Sequence, residues 1–317
     1  MPFVDRLILA SDLRNMGEDV RRYRRACERG QLVRIHRGVY VDAAAWRELK
    51  PSERYRTQVV GAHRASRTSW PVSHASAAAL WGVPLVGAPP KVVHMLSGKA
   101  TGTRTENGFR RHASAGADLD VVELDGMPVT SLARTLAEFA ATASFRDAVV
   151  ALDWAIAPST PRHPKPFVSI DEVFAAADRL GIVRGRRRLE RAGAFANGAS
   201  GSPGESVSRV CMLELGFPMP VLQMEFFDAF GSIGFTDFWW PEFNLIGEFD
   251  GFGKYIREEF TKGRSTAEVV IDEKNRENRL RAADGGHGMT RWDWQEAMGP
   301  PLLFERLSSA GLPSSRR

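Results

Sequence analysis

The chain has 317 residues, 43% hydrophobic and 26% charged, with a net charge of +5 and two cysteines, Cys27 and Cys211. That length admits two domains with proper cores, and two distant cysteines exclude a disulfide framework or a cysteine zinc site and predict a reducing compartment. No apolar run nears the roughly 18 residues of a membrane helix, and Met1–Arg6 lacks a basic leader, so the chain reads as cytoplasmic with no membrane partner.

In chain order, residues 11–17 read as a short capped helix closed by Gly17. Residues 18–29 read as a second helix, with Val20, Tyr23 and Cys27 on its inner face and Arg21, Arg22, Arg24 and Arg25 elsewhere. A hairpin follows, Leu32–Ile35 and Val39–Val41 around His36-Arg37-Gly38. Helix, turn, basic helix and hairpin is the order of a winged helix-turn-helix over residues 1–45. In such a unit Arg21, Arg22, Arg25 and Arg37 face phosphates or guanine edges of double-stranded DNA; the plain alternative is a solvated arginine face.

Residues 46–157 read as a mixed α/β body. Ser73 caps a helix that stops at Gly82-Val83-Pro84, and strands are predicted at Val92–Leu96 and Gly108–His112. Asp125-Gly126 turns a hairpin, Thr130 caps the helix that follows, and another helix runs from Phe145. His74, His94 and His112 fall singly along these elements and read as packing or capping residues. With Arg37-Gly38-Val39-Tyr40 and Ser73-His74-Ala75-Ser76-Ala77-Ala78 on the page, the span from Ile8 to Ala157 resembles the AbiEi-type antitoxin family. The resemblance implies a winged helix joined to a mixed body, a place in bacterial toxin–antitoxin systems and a cognate toxin protein as partner.

Residues 158–200 read as a proline-rich linker, a helix capped by Asp171 and the basic run Arg184–Arg191, a phosphate clamp or a solvated helix end. The segment 201–300 carries the chemistry. A helix over Gly204–Leu215 precedes a strand over Val221–Phe227 and two more, Phe235–Trp240 and Leu245–Phe249, around Pro241-Glu242-Phe243-Asn244. Pairing about that turn sets Asp237 opposite Glu248. Two carboxylates so placed repel unless a proton or metal lies between them, and a hard divalent cation accounts for them as well as a twist that turns both to water. A charged helix over Ala267–Ala283, with Ala267, Val270, Ile271 and Lys274 inward, and a strand over Gly288–Trp292 complete the order; Ser308–Arg317 reads as a frayed tail.

This order resembles the PD-(D/E)XK nuclease superfamily, and most closely the domains akin to very-short-patch repair endonucleases. The resemblance implies a restriction-endonuclease-like α/β domain and an endonuclease binding Mg²⁺ or Mn²⁺ through Glu205, Asp237 and Glu248. A lysine completes that pattern, but Asp250 stands two places after Glu248, which leaves Lys254 and Lys274 as catalytic candidates. Together the readings predict an α+β DNA-binding protein with a metal-dependent nuclease-like domain. The alternative is a non-catalytic antitoxin or transcriptional regulator with a degenerate one.

Overall fold

The basic helix begins where its sequence provides a cap. Asp19 accepts the backbone N–H of Arg21 at 2.9 Å, the standard remedy for an orphan donor at a helix start. In this computed structural model, which describes residues 7–66, 68–97, 102–113, 120–158, 167–251, 266–283 and 286–316, the first elements are β1 (Ile8–Leu9), α1 (Ala10–Asn15) and α2 (Val20–Glu28), then β2 (Leu32–His36) and β3 (Val39–Asp42). The strands form an antiparallel sheet in the order β1-β3-β2. Asp42 caps α3 (Ala43–Glu48), and α4 (Pro51–Ala65) starts on a proline.

Helix α4 was not among the predicted elements, and it organises this region. A Cβ on Gly61 would stand 2.8 Å from Val39 Cγ1, so only glycine lets α4 lie this close to β3. Further along the helix, Tyr55 donates to the Val92 carbonyl at 3.0 Å and shares a 2.7 Å hydrogen bond with Ser76. Residues 1–45 and the mixed body thus share one helix. The body holds α5 (His74–Trp81), β4 (Val93–Ser97), β5 (Arg104–Glu106) and β6 (Phe109–Ala113), with β4 and β6 parallel, then the hairpin β7 (Val121–Leu124) and β8 (Met127–Thr130). Its core gathers Tyr55, Val59, Val72, Leu80, Val93, Met95 and Val129.

Next come α6 (Leu132–Thr142), α7 (Phe145–Ile156), α8 (Ile170–Arg179) and α9 (Arg186–Phe195). Two caps differ from expectation. Ser131 rather than Thr130 caps α6, because Thr130 ends β8 and its hydroxyl meets Thr135 at 2.7 Å. Ser169 rather than Asp171 caps α8, in a reciprocal box with Glu172.

By its contacts the chain divides into two units, Met1–Ala155 with Thr160–Ala194, and Ile156–Ser159 with Phe195–Arg317. The second unit holds α10 (Pro203–Leu215), β9 (Val221–Asp228), β10 (Gly231–Trp240) and β11 (Leu245–Phe249), then α11 (Thr266–Ala282), β12 (Gly288–Trp292), α12 (Trp294–Met298) and α13 (Pro300–Ser309). The strand order is β12-β11-β10-β9, antiparallel except for the β11–β12 pair. The whole is a mixed α+β fold.

The hairpin forms with the expected register, Phe238 opposite Gly247 and Trp240 opposite Leu245. Residues of alternate parity take opposite faces of the sheet. On one face Phe238, Trp240 and Trp292 stack, the Trp292 indole donates to Ser208 of α10 at 2.8 Å, and a Cβ on Gly247 would strike both tryptophan rings. On the other face Ile233, Ile246, Phe226 and Trp239 pack with Leu280 of α11 and with Ala283 just past its end. The tail is not frayed through its described residues. Leu312 is buried and the Ser315 N–H donates to the Gly216 carbonyl at 2.9 Å, since the open end of α10 offers unpaired carbonyls.

Candidate functional site

The acidic site begins with a glycine. A Cβ on Gly204 would fall 1.9 Å from Phe249 Cε1, so glycine alone lets the first turn of α10 settle on the end of β11. That approach brings Glu205, 6% exposed, to the sheet. Ser202 and Glu205 have the spacing of a capping box, but the glutamate reaches one residue further back, accepting the Gly201 N–H at 2.7 Å.

Gln223 of β9 joins the acids. Its amide nitrogen donates to Glu205 Oε2 at 3.2 Å and to Asp237 Oδ1 at 3.4 Å, and its backbone sits at φ 50, which non-glycine residues rarely adopt. Sequence reading missed Gln223; its distorted backbone leaves no mark in the residue pattern. Asp237 Oδ2 accepts the Phe249 N–H at 2.9 Å, which ties it to the edge of β11.

Burial is the largest influence on both carboxyls, and it raises both. For Glu205 the charge of Asp237 pushes the same way, while the Gly201 N–H and the Ser202 and Gln223 side chains oppose it. For Asp237 the Phe249 N–H pulls down and Glu248 pushes up, with the Gln223 amide and the more distant charge of Arg276 pulling down again. Among the described residues no cation pairs with either group at ion-pair distance. Oxygen donors with no cation in direct contact suit a hard divalent cation, and Mg²⁺ is commonly held by one or two carboxylates with water and substrate completing the shell. Among the described residues there is no cluster of three or more His, Cys, Asp or Glu side chains set around one metal position.

Glu248 explains that. Continued one step past the Phe238–Gly247 pair, the register sets it across from Asp237, yet its oxygens are taken, Oε1 by Arg276 Nη1 and Oε2 by Arg291 Nη2, each at 2.8 Å. Lys274 is exposed and off the inner face of α11. The face that docks carries Arg276, Arg279, Leu280 and Ala283; Arg279 grips Asp228 with two bonds of 2.7 and 2.8 Å, and Lys274 lies about 200° round the helix from Arg276. Ile271, also predicted inward, is exposed. Lys254 lies outside the described residues. Asp250 is exposed at the end of β11, its N–H donating to the Trp292 carbonyl.

In the first unit, Arg21, Arg22, Arg25 and Arg37 are all exposed. Acids temper two of them, Glu18 pairing with Arg22 at 3.0 Å and Asp19 with Arg25 at 3.9 Å. The hairpin turn is half engaged, for the His36 ring meets Phe109 edge-on at 4.9 Å while Arg37 points to solvent. The run after Arg184 is largely committed within its own unit. Arg186 pairs with Asp178 and Glu190, Arg188 donates to the Ala141 carbonyl, and Arg191 lies over Phe145.

The three histidines are not scattered. Strands β4 and β6 pair in parallel with His112 beside Leu96, and the head of α5 adds His74. His94 Nδ1 and His112 Nε2 lie 3.0 Å apart, and the His74 ring stacks on His112 with centroids 3.6 Å apart. His74, at φ 50, meets Glu138 at 3.2 Å, and the fully buried Arg134 holds the same carboxylate at 2.8 Å. Burial raises the Glu138 carboxyl, but His74 and Arg134 outweigh it and hold the group at about 2. Burial, then the neighbouring imidazoles, brings His94 and His112 down to about 3.

No family model matches the chain. It is 28% identical over 271 residues to two proteins of Mycobacterium tuberculosis, uncharacterized protein Rv2248 of strain H37Rv and uncharacterized protein MT2308 of strain CDC 1551, with 81% of this chain and 93% of each relative covered. Among solved structures, that of the Rv2827c protein from M. tuberculosis aligns over 72% of this chain and 86% of its own, at 16% identity and a TM-score of 0.35. No helix among the described residues is long and apolar enough to cross a membrane.

Proposed function

We propose that the protein binds duplex DNA through its N-terminal winged helix and hydrolyses phosphodiesters in its C-terminal unit with a divalent metal. One observation carries the hydrolytic reading: Glu205 and Asp237, from a helix and a strand far apart in sequence, are drawn onto one glutamine amide without a paired cation. A fold does not bury two acids together at no cost, and an ion between them removes that cost. Glu205 and Asp237 would hold Mg²⁺ or Mn²⁺ through their oxygens, with Gln223 fixing both carboxylates. The bound ion supplies a water of lowered pKa and a positive charge at the scissile phosphate. On the DNA side the support is the capped α2 with exposed Arg21, Arg22 and Arg25, beside the exposed Arg37 of the hairpin turn. Two cysteines in 317 residues, far apart and outside any paired motif, support a cytoplasmic setting.

Supercoiled plasmid tests the first claim. Nicking is expected with Mg²⁺ or Mn²⁺, none with chelator, and a loss of at least about 100-fold in Glu205→Gln and Asp237→Asn. Metal-independent nicking, or variants as active as the parent, would remove the reading. For the second claim, replacing Arg21 and Arg25 by Ala is expected to lower the slope of log affinity against log salt by about two. An unchanged slope in a gel shift returns those arginines to the solvated face.

A second reading has its own observation. With Asp250 where the lysine belongs and Glu248 occupied by two arginines, the domain serves binding alone, in an antitoxin or regulator with a toxin protein as partner. Metal-dependent nicking separates the two.

A further inference from the structure

Glu248 is the acid on which the resemblance leans most, and it is the one the structure takes out of use. Its carboxylate is 12% exposed and is shared between two arginines, one per oxygen. They come from different elements, Arg276 from α11 and Arg291 from β12, and each has other anchors. Arg276 donates to the Phe235 carbonyl at 2.5 Å and lies 3.4 Å from Glu273. Arg291 lies 2.6 Å from Glu273 and 3.5 Å from Glu277, and its Nε–H has no hydrogen-bond partner among the described residues.

Those anchors decide what happens if Glu248 leaves. A half-buried arginine stripped of its only acid is strongly destabilising. Here Glu273 and Glu277 remain, so the guanidiniums can release Glu248 and stay compensated. They are also partly open to solvent, at 26% and 32%, and a guanidinium fork binds a phosphate as well as a carboxylate. Lys274 has no part in this, being turned to solvent.

Resting on the hydrolytic reading, we propose that Arg276 and Arg291 form a latch on Glu248 that a backbone phosphate opens. The two guanidiniums exchange the carboxylate for the phosphodiester, and Glu248, opposite Asp237, turns to complete the divalent-ion site. Among the described residues, the pair supplies the positive charge that Asp250, standing in the lysine's place, does not. Metal affinity is therefore low until nucleic acid arrives, and an ion loaded in its absence has only Glu205 and Asp237 to hold it. Arg276 and Arg291 act as positioning residues toward Glu248 and as phosphate ligands toward substrate.

The test titrates the full chain with Mn²⁺ alone, reading the rise in melting temperature, and then measures plasmid nicking. Arg276→Gln and Arg291→Gln are expected to bring the Mn²⁺ midpoint down by about tenfold, the scale of one charge-assisted bond, and to slow nicking by more than that. Arg276→Lys is expected to recover part of the nicking. A latch is the arrangement in which removing a charge tightens metal binding while weakening catalysis; a merely structural arginine lowers both, and that result overturns the proposal. A parent that responds to Mn²⁺ with variants that match it also overturns the latch and leaves the metal reading standing. No response from parent or variants sinks the metal reading and the latch with it. Should an arginine variant fail to fold, Glu248→Gln keeps both guanidiniums and frees them. It is expected to bind plasmid DNA in Ca²⁺ several-fold more tightly than the parent, about one released charge pair's worth, and equal binding overturns the latch.

Discussion

Two buried glutamates, one in each unit, teach what burial alone does not decide. Glu138 and Glu205 both sit on helices, and both are under a tenth exposed. Glu138 has Arg134 and His74 on it and stays an anion. Glu205 has an amide, a backbone N–H and another acid, and it drifts toward its neutral form. The first is a finished structural pair. The second is charge held against its preference, which marks a place where a cation is wanted.

Breaking the finished pair should do the most damage. Arg134→Met leaves Glu138 buried with His74 alone, and a loss of about 3–5 kcal/mol is expected from denaturant unfolding of the first unit. A loss below about 1 kcal/mol would show that the arginine is not what sustains the charge. Gly204→Ala comes next. Its new methyl meets the Phe249 ring, so about 1–3 kcal/mol should go from the second unit, with partial recovery when Phe249→Leu is added.

Glu205→Gln should move the other way. The isosteric amide removes an unwilling charge, so a gain of about 1 kcal/mol is expected at pH 8, falling to nothing below about pH 4 where the parent carboxyl is protonated folded and unfolded alike. Glu138→Gln should destabilise instead.

The smallest effect sets the units against each other by pH. A raised carboxyl such as Glu205 contributes stability that is full below the ordinary carboxyl range and is lost as pH climbs through the folded value. Depressed imidazoles reverse this. His94 and His112 contribute fully above the ordinary histidine value, and that contribution is lost as pH falls toward their folded values of about 3. Hydrogen exchange on the full chain, corrected for intrinsic rates, should loosen β4 and β6 on going from pH 7 to 5 and tighten the start of α10. Parallel changes in both would break the comparison.

The sequence made the local features readable. Asp125-Gly126 announces a turn, and it forms as written between β7 and β8. The turn at Pro241–Asn244 fixed the β10–β11 register, because a short connection leaves antiparallel strands one way to pair. Helix α4 escaped because its buried residues, among them Tyr55, Thr57, Val59 and Ala62, interleave with half-buried polar ones on a helix packed on two sides. The α11 face was misread because its inward positions are arginines as well as apolar residues, and a stripe drawn from hydrophobicity alone cannot find them.

By itself, then, the sequence determined the hairpin strands, the turn and the candidate acids, since those follow from local sterics and side-chain type, while the short β1 and β5 left no mark in it. Which acid keeps its charge was decided only in three dimensions. Glu248 is paired with an arginine 28 residues later on α11 and another on β12, Glu205 is stranded beside Asp237 by a glycine that lets a helix settle on a ring, and three separate histidines are gathered by one parallel strand pair and the head of α5. A carboxyl's charge depends on every group within a few ångströms, and the spacing of residues along a chain does not record which groups those will be.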